Sequence, residues 1–327
     1  FYAKASKKVA LCCFLMSNLP ANHGVITMFD NLIVKTGCVR VRQRSILKST
    51  IAAVVFSLPI FTGVLHAATL QEINARGFIN TASEDDFRPF VFVQDGKPTG
   101  FEHEMLDELG KYAAFKVHRD IIPWTGMLAA LSAGKYDAAV TGTIMTEDRL
   151  KAYDFVTPIA SATHYYVKRA NDDSIKSVAD LNGKTVGVQA GSAQLARLPE
   201  LKAMLAQTGG ALGKVVEYPS TPEIYADLAN GRLDYMINSI IGAQSVVKER
   251  SKIFAIGQPV SGPGFHGWMV AKGNTELLDY LSGFIAHLQS SGRLAELQMK
   301  WFGQSFSDLP HVPVTSVEQF KALTQAK

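Results

Sequence analysis

The chain has 327 residues, 47% hydrophobic and 19% charged, with a formal net charge of +4, which suits one large or two medium globular domains and excludes a disordered, charge-dominated chain. Residues 1–67 hold eight of the 33 Lys/Arg and one of the 29 Asp/Glu, so the remainder, 25 basic against 28 acidic, carries a net charge near −3. A basic nucleic-acid footprint is therefore excluded: after Leu70 no Lys/Arg stripe interleaved with aromatics occurs.

Near the start, Arg40, Arg42, Arg44 and Lys48 precede an apolar run from Ile51 to Leu65 that closes on Ala67 and Ala68, the order of a secretory signal peptide. Ser57, Pro59 and Thr62 interrupt the run, which falls short of the roughly 18 apolar residues of a membrane span. Residues 1–67 are accordingly read as an N-terminal extension and cleaved signal peptide, with Met28 a candidate start and a periplasmic destination. Cys12, Cys13 and Cys38 all fall in this segment, so a mature chain would have neither thiol chemistry nor Cys-ligated zinc. Cys38 lies too far ahead of the apolar run to carry a lipid anchor.

From Leu70 onward short apolar runs alternate with amphipathic ones, the pattern of an α/β fold. A strand begins at Gly77-Phe-Ile-Asn-Thr-Ala, and a strand pairing Phe90 with Phe92 follows. Helices are predicted over 101–115 and 124–133, the second ended by Gly134. Next come the strand Ala138-Ala139-Val140, a helix start at Thr146-Glu-Asp-Arg149 and the apolar run His164–Arg169. The polar stretch 170–174 separates this half from a second series: strands at 184–190, 214–218 and 232–238, with a helix from Thr221 to Asn230. The run 267–271 resembles the start of 164–169, and helices over 275–290 and 292–302 precede a short tail. Two α/β units joined by two extended segments imply lobes that hinge.

The densest chemistry lies between Gly134 and Arg149. Ala138-Ala139-Val140 reads as a short buried strand, and such strands present ligands at their carboxyl ends. Thr141, Gly142 and Thr143 stand at that end; hydroxyls and accessible N–H groups suit an anion, and Arg149 adds a guanidinium fork for a carboxylate. The plainer alternative is a strand, a loop and a surface arginine. Gly191-Ser192 is a second corner of the same kind. Phe87, after the acidic run Glu84-Asp85-Asp86, and Trp124, after Pro123, either line a cleft or cap the core. The three acids either supply general acid/base chemistry or form a solvated helix-start cluster. The six histidines after Leu70 show no zinc-ligand spacing, and nucleophile-elbow, Walker and dinucleotide motifs are absent, so no metal, cofactor or catalytic residue is expected.

Taken in order, these segments resemble the periplasmic solute-binding proteins of polar amino-acid ABC transporters, family 3. The likeness runs from Leu70 to Gly303. It rests on Pro89-Phe90 with Gly100-Phe101-Glu102, Trp124 with Gly134-Lys135-Tyr-Asp137, Thr146-Glu-Asp-Arg149 with Asp154-Phe155, Asp180-Leu-Asn-Gly-Lys-Thr-Val-Gly-Val188, Gly231-Arg-Leu-Asp234 and Lys300-Trp-Phe-Gly303.

The resemblance implies a type II periplasmic-binding fold, with residues 68–164 and 268–327 in lobe 1 and 165–267 in lobe 2, joined by two hinge strands. It further implies a monomer that closes on a small carboxylate-bearing solute, an amino acid or a related compound, and delivers it to an inner-membrane permease. In its terms Phe87 and Trp124 are the aromatic walls, Thr141 and Gly142 offer polar groups, Arg149 clamps the carboxylate, and Ser192 and Ala193 contribute from lobe 2. Two positions depart from the family pattern. Ile144 replaces a hydroxyl residue, with Thr143 one place early, and Ser239 stands where an aspartate ordinarily holds the ligand ammonium. A serine cannot neutralise an ammonium, so either Glu84 takes that role or the solute lacks an α-amine. A cyclohexadienyl dehydratase-like enzyme on the same scaffold, with Glu84 as general acid, is the alternative function; a sensory domain would need a separate signalling partner.

Overall fold

A computed structural model describes residues 67–325; the signal-peptide and start-site readings fall outside the described residues. The fold is built around two five-stranded sheets. The first runs Lys116–Ile121, Phe78–Ser83, Ala138–Ala139, Met269–Ala271, Tyr153–Phe155. Its first three strands are parallel, and Met269–Ala271 is antiparallel to both its neighbours. The second repeats the plan: Val215–Tyr218, Val186–Gln189 and Tyr235–Ser239 are parallel, followed by His164–Arg169 and Phe254–Pro259 in antiparallel register.

The chain thus fills one sheet, crosses to the second, and returns to complete the first with Met269–Ala271. Where it crosses, Ala160–Ser161 pairs antiparallel with Phe265–His266. An apolar core packs against each sheet. One centres on Ile79, Phe101, Leu106, Trp268 and Phe284, the other on Val186, Val188, Leu201, Leu205 and Tyr235. Burial of apolar side chains against each sheet stabilises each half at about 25 cal/mol per Å². The architecture is therefore the two-lobed α/β fold.

Several boundaries differ from the periodicity. The helix 101–115 stops at Tyr112, because the chain turns extended at Ala113 and the N–H of Ala113 closes the last turn on Leu109 O. Trp124 precedes its helix, which spans Met127–Ser132. Phe90 sits in a turn and the strand is Val91–Gln94. The C-terminal tail contains a further helix, Val317–Gln325, whose Phe320 packs edge-on to Phe265.

Candidate ligand-binding site

The parallel strands of the two sheets end facing one another, and the polar residues at those ends converge. Glu84 follows the strand Phe78–Ser83; its N–H donates to Thr141 Oγ1 at 2.8 Å, which ties the ends of two adjacent strands together and turns the carboxyl into the cleft. The side chain is not part of a solvated acidic cluster: it is 3% exposed. Burial pushes its carboxyl up to about 8, against the lowering effect of a hydrogen bond from Gln189, while Asp85 and Asp86 add to the rise and Arg149 opposes it.

Gly142 cannot serve as a free N–H donor, which corrects one expectation. Its N–H donates to the carboxylate of Glu102, and its carbonyl lies 2.8 Å from His266 Nδ1. Both partners are buried; burial pushes Glu102 up to about 8 and His266 down to about 3. The glycine itself is required, because φ is 64° and an added Cβ would stand 2.7 Å from Cδ1 of Phe87. Gly142 thus lets the Phe87 ring lie against the strand end. Thr143 is also committed, its hydroxyl donating to Gly267 O. Thr141 accepts from Glu84, which leaves its hydroxyl proton for a ligand. At Ile144 the hydroxyl is missing, but its N–H has no acceptor among the described residues.

Arg149 lies in the first turn of the helix Glu147–Ala152, whose N-cap Thr146 accepts from the N–H of Arg149 at 3.3 Å. It is no surface arginine: exposure is 8%, and burial lowers the guanidinium to about 10, still charged at neutral pH. Nη1 donates to Ile144 O at 2.8 Å and Nη2 to Gly191 O at 3.1 Å, and the guanidinium lies 4.9 Å from the centre of the Trp124 ring. Trp124 Nε1 in turn donates to Ala190 O at 3.0 Å. Ser192 caps the short helix Ala193–Ala196 by accepting from Leu195 N, so its hydroxyl oxygen is partly used while the first N–H groups of that helix lack helical partners.

Glu84, Phe87, Trp124, Thr141, Gly142, Thr143 and Arg149 from one lobe, and Ser192 and Ala193 from the other, border a single cavity. Its water-accessible volume is about 20 Å³, room for about one water molecule, so its own side chains nearly fill it. Ser239 is outside it. That residue ends the strand Tyr235–Ser239 fully buried, with its hydroxyl accepting from Gly242 N at 3.4 Å as N-cap of the helix Ile240–Glu249. Its side chain is spent on the helix start. Gln189 and Gln194 line the cavity without having been singled out from the sequence. The signal was present for Gln189: a lone polar residue at the carboxyl end of the apolar strand Val186-Gly-Val-Gln189.

Across residues 79–304 the sequence matches the family model described as bacterial extracellular solute-binding proteins, family 3. The chain belongs to that family. The L-cystine-binding protein TcyJ of Escherichia coli strain K12 is 32% identical over 236 residues, which cover 72% of this chain and 86% of that protein. Among solved structures, an ancestral arginine-binding protein bound to arginine is 31% identical with a TM-score of 0.63, covering 70% of this chain and 99% of its own. The ancestral amino acid-binding protein AncCDT-1, a precursor of cyclohexadienyl dehydratase, is 28% identical with a TM-score of 0.64, covering 72% of this chain and 100% of its own. As a family member the chain is a solute receptor with its cleft between two lobes. Among the described residues no helix is long and apolar enough to cross a membrane.

Proposed function

We propose that this chain is the periplasmic receptor of an amino-acid ABC importer, a monomer that closes on its solute and delivers it to an inner-membrane permease. Lobe 1 comprises residues 68–164 and 268–327, and lobe 2 residues 165–267. The reading is supported by relatives whose names specify L-cystine, arginine and histidine binding.

The observation that carries the site assignment is the pairing of Arg149 with Glu84 across one small buried cavity. Arg149 is charged and takes the carboxylate; Thr141 Oγ1 and the N–H groups of Ile144 and Ala193 complete its shell. Glu84 is the one acid lining the cavity among the described residues, and with Ser239 turned away it takes the ammonium. Phe87 and Trp124 wall the aliphatic part. Closure is driven by contacts to both lobes, which is how a ligand shifts a hinge equilibrium.

A carboxyl with its pKa near 8 in a cleft is also suited to general-acid catalysis, and this favours keeping the dehydratase reading as the second one. Against it, Glu84 is held by Gln189 and no second acid reaches the cavity among the described residues. Calorimetric titration with L-amino acids and with amine-free organic acids tests the receptor reading; binding of neither class would overturn it. Incubation with prephenate or arogenate is expected to give no product, and turnover would overturn the non-enzymatic assignment.

A further inference from the structure

The loop from Gly142 to Met145, which brings Gly142, Thr143 and Ile144 to the cavity, is fastened to the returning strand Phe265–His266. Ile144 bridges antiparallel to His266, Met145 N–H donates to Phe265 O at 3.0 Å, and Gly267 N–H donates to Thr143 O at 3.0 Å. A further tie comes from a side chain. His266 Nδ1 lies 2.8 Å from Gly142 O, 124 positions away in the chain. A backbone carbonyl can only accept, so Nδ1 carries the proton. Burial, with Arg149 nearby, keeps the ring neutral, and Nε2 is left bare. Gly142 N–H donates to Glu102, so the peptide units on both sides of this glycine are held by buried side chains.

His266 reaches the cavity by a second route. Its ring lies against Phe90 with centroids 4.3 Å apart, and Phe90 stacks on Phe87 at 5.5 Å and 10°. Phe87 is a wall of the cavity, and both phenylalanine rings press on the loop at Gly142, where an added Cβ would stand 2.7 Å from Phe87 and 2.9 Å from Phe90. The loop in turn holds Arg149, whose Nη1 donates to Ile144 O at 2.8 Å. One buried imidazole thus bears on the polar loop and the aromatic wall at once. Packing alone does not account for it. Its Nε2 has no hydrogen-bond partner among the described residues, and an unpaired buried nitrogen is a cost that an apolar side chain of similar size avoids. What the imidazole adds to an apolar filler is the Nδ1–H.

We infer that His266 is a positioning residue for solute binding: by donating Nδ1–H to Gly142 O it fixes the loop 142–145 on the returning strand, and so sets where the Ile144 N–H and the Arg149 guanidinium meet the solute carboxylate. This rests on reading the Arg149 cavity as the solute site. The Gly142 carbonyl has no other donor among the described residues, so without His266 the loop must shift for that carbonyl to find one. His266 does not itself line the cavity; it acts from the strand that pairs with Ala160–Ser161, through Gly142.

The test compares two substitutions of similar size. Both His266→Asn and His266→Leu remove the ring, but the Asn amide nitrogen stands where Nδ1 stood, whereas Leu offers no donor. His266→Leu is expected to weaken calorimetric binding of the tightest of L-cystine, L-arginine and L-histidine by about tenfold, and to speed amide hydrogen exchange over 142–145 in the ligand-free protein by about tenfold. His266→Asn should stay within about threefold of the wild type in both measurements. Urea unfolding is run beside them, because a merely structural role predicts affinity and exchange that follow stability whichever residue is introduced. Equal losses in the two variants, or no loss in His266→Leu, overturn the inference. If none of the three amino acids binds the wild type, the reading of the cavity as an amino-acid site fails, and the exchange comparison alone decides the role of His266.

Discussion

Gln189 Nε2 donates to Glu84 Oε1 at 2.5 Å across the cleft, joining the carboxyl ends of parallel strands from two separate sheets. With Trp124 on Ala190 O and Arg149 on Gly191 O, it holds the lobes together through the residues assigned to the ligand. Closure and recognition therefore use the same side chains, so a solute that engages Glu84 and Arg149 must replace these contacts with better ones.

Removing the guanidinium is the most direct check of the carboxylate assignment. Arg149→Ala is expected to weaken solute binding by about 100-fold or more, because a buried carboxylate would lose its charged partner. Circular dichroism of the variant should remain that of the wild type. Calorimetric affinity equal to the wild type would remove Arg149 from the site.

Ser239 should matter to stability and not to binding. Ser239→Ala deletes the N-cap of the helix Ile240–Glu249 and is expected to cost about 1 kcal/mol in urea unfolding. Solute affinity should stay within about twofold. A tenfold loss of affinity with unchanged stability would put Ser239 back in the cavity.

Binding of an amino acid at pH 6.5 should release about one proton, because Glu84, held protonated by burial with its pKa near 8, must ionise to accept the ammonium. Calorimetry in two buffers of different ionisation enthalpy reads that proton. Glu84→Gln should abolish the buffer dependence, and an amine-free acid should show none in the wild type. An amino-acid enthalpy that is the same in both buffers would mean that Glu84 does not take the ammonium.

The ligand-free protein should be most stable on the mildly acidic side of neutrality. Glu84 and Glu102 have folded pKa values raised from 4.5 to about 8, so the stability they contribute is complete below about 4.5 and is lost as pH rises towards 8. His266 and His103 are lowered from 6.5 to about 3 and about 4, so theirs is present above about 6.5 and lost as pH falls. Thermal unfolding against pH should therefore fall on both sides. Glu102→Gln should flatten the alkaline limb; an unchanged limb in both that variant and Glu84→Gln would show that these carboxyls do not govern it.

Much of this was legible in the sequence because local patterns carry it. The helix Thr275–Ser290 and the apolar strands at 164–169 and 186–189 follow from periodicity, and the Thr146 cap follows from residue type at a helix start. The order of motifs also located Phe87, Trp124, Thr141, Arg149 and Ser192 at strand ends and helix starts, where an α/β fold collects its polar groups. Local pattern could not decide how each polar group is spent. Gly142 N–H goes to Glu102, 40 positions away, and Glu84 is buried against Gln189, 105 positions away. Ser239 was singled out by position in a motif, yet its hydroxyl serves its own helix. Residue types and spacing set which groups were available near the cleft; burial and long-range hydrogen bonding, which depend on how two sheets close on one another, decided which of them still face a solute.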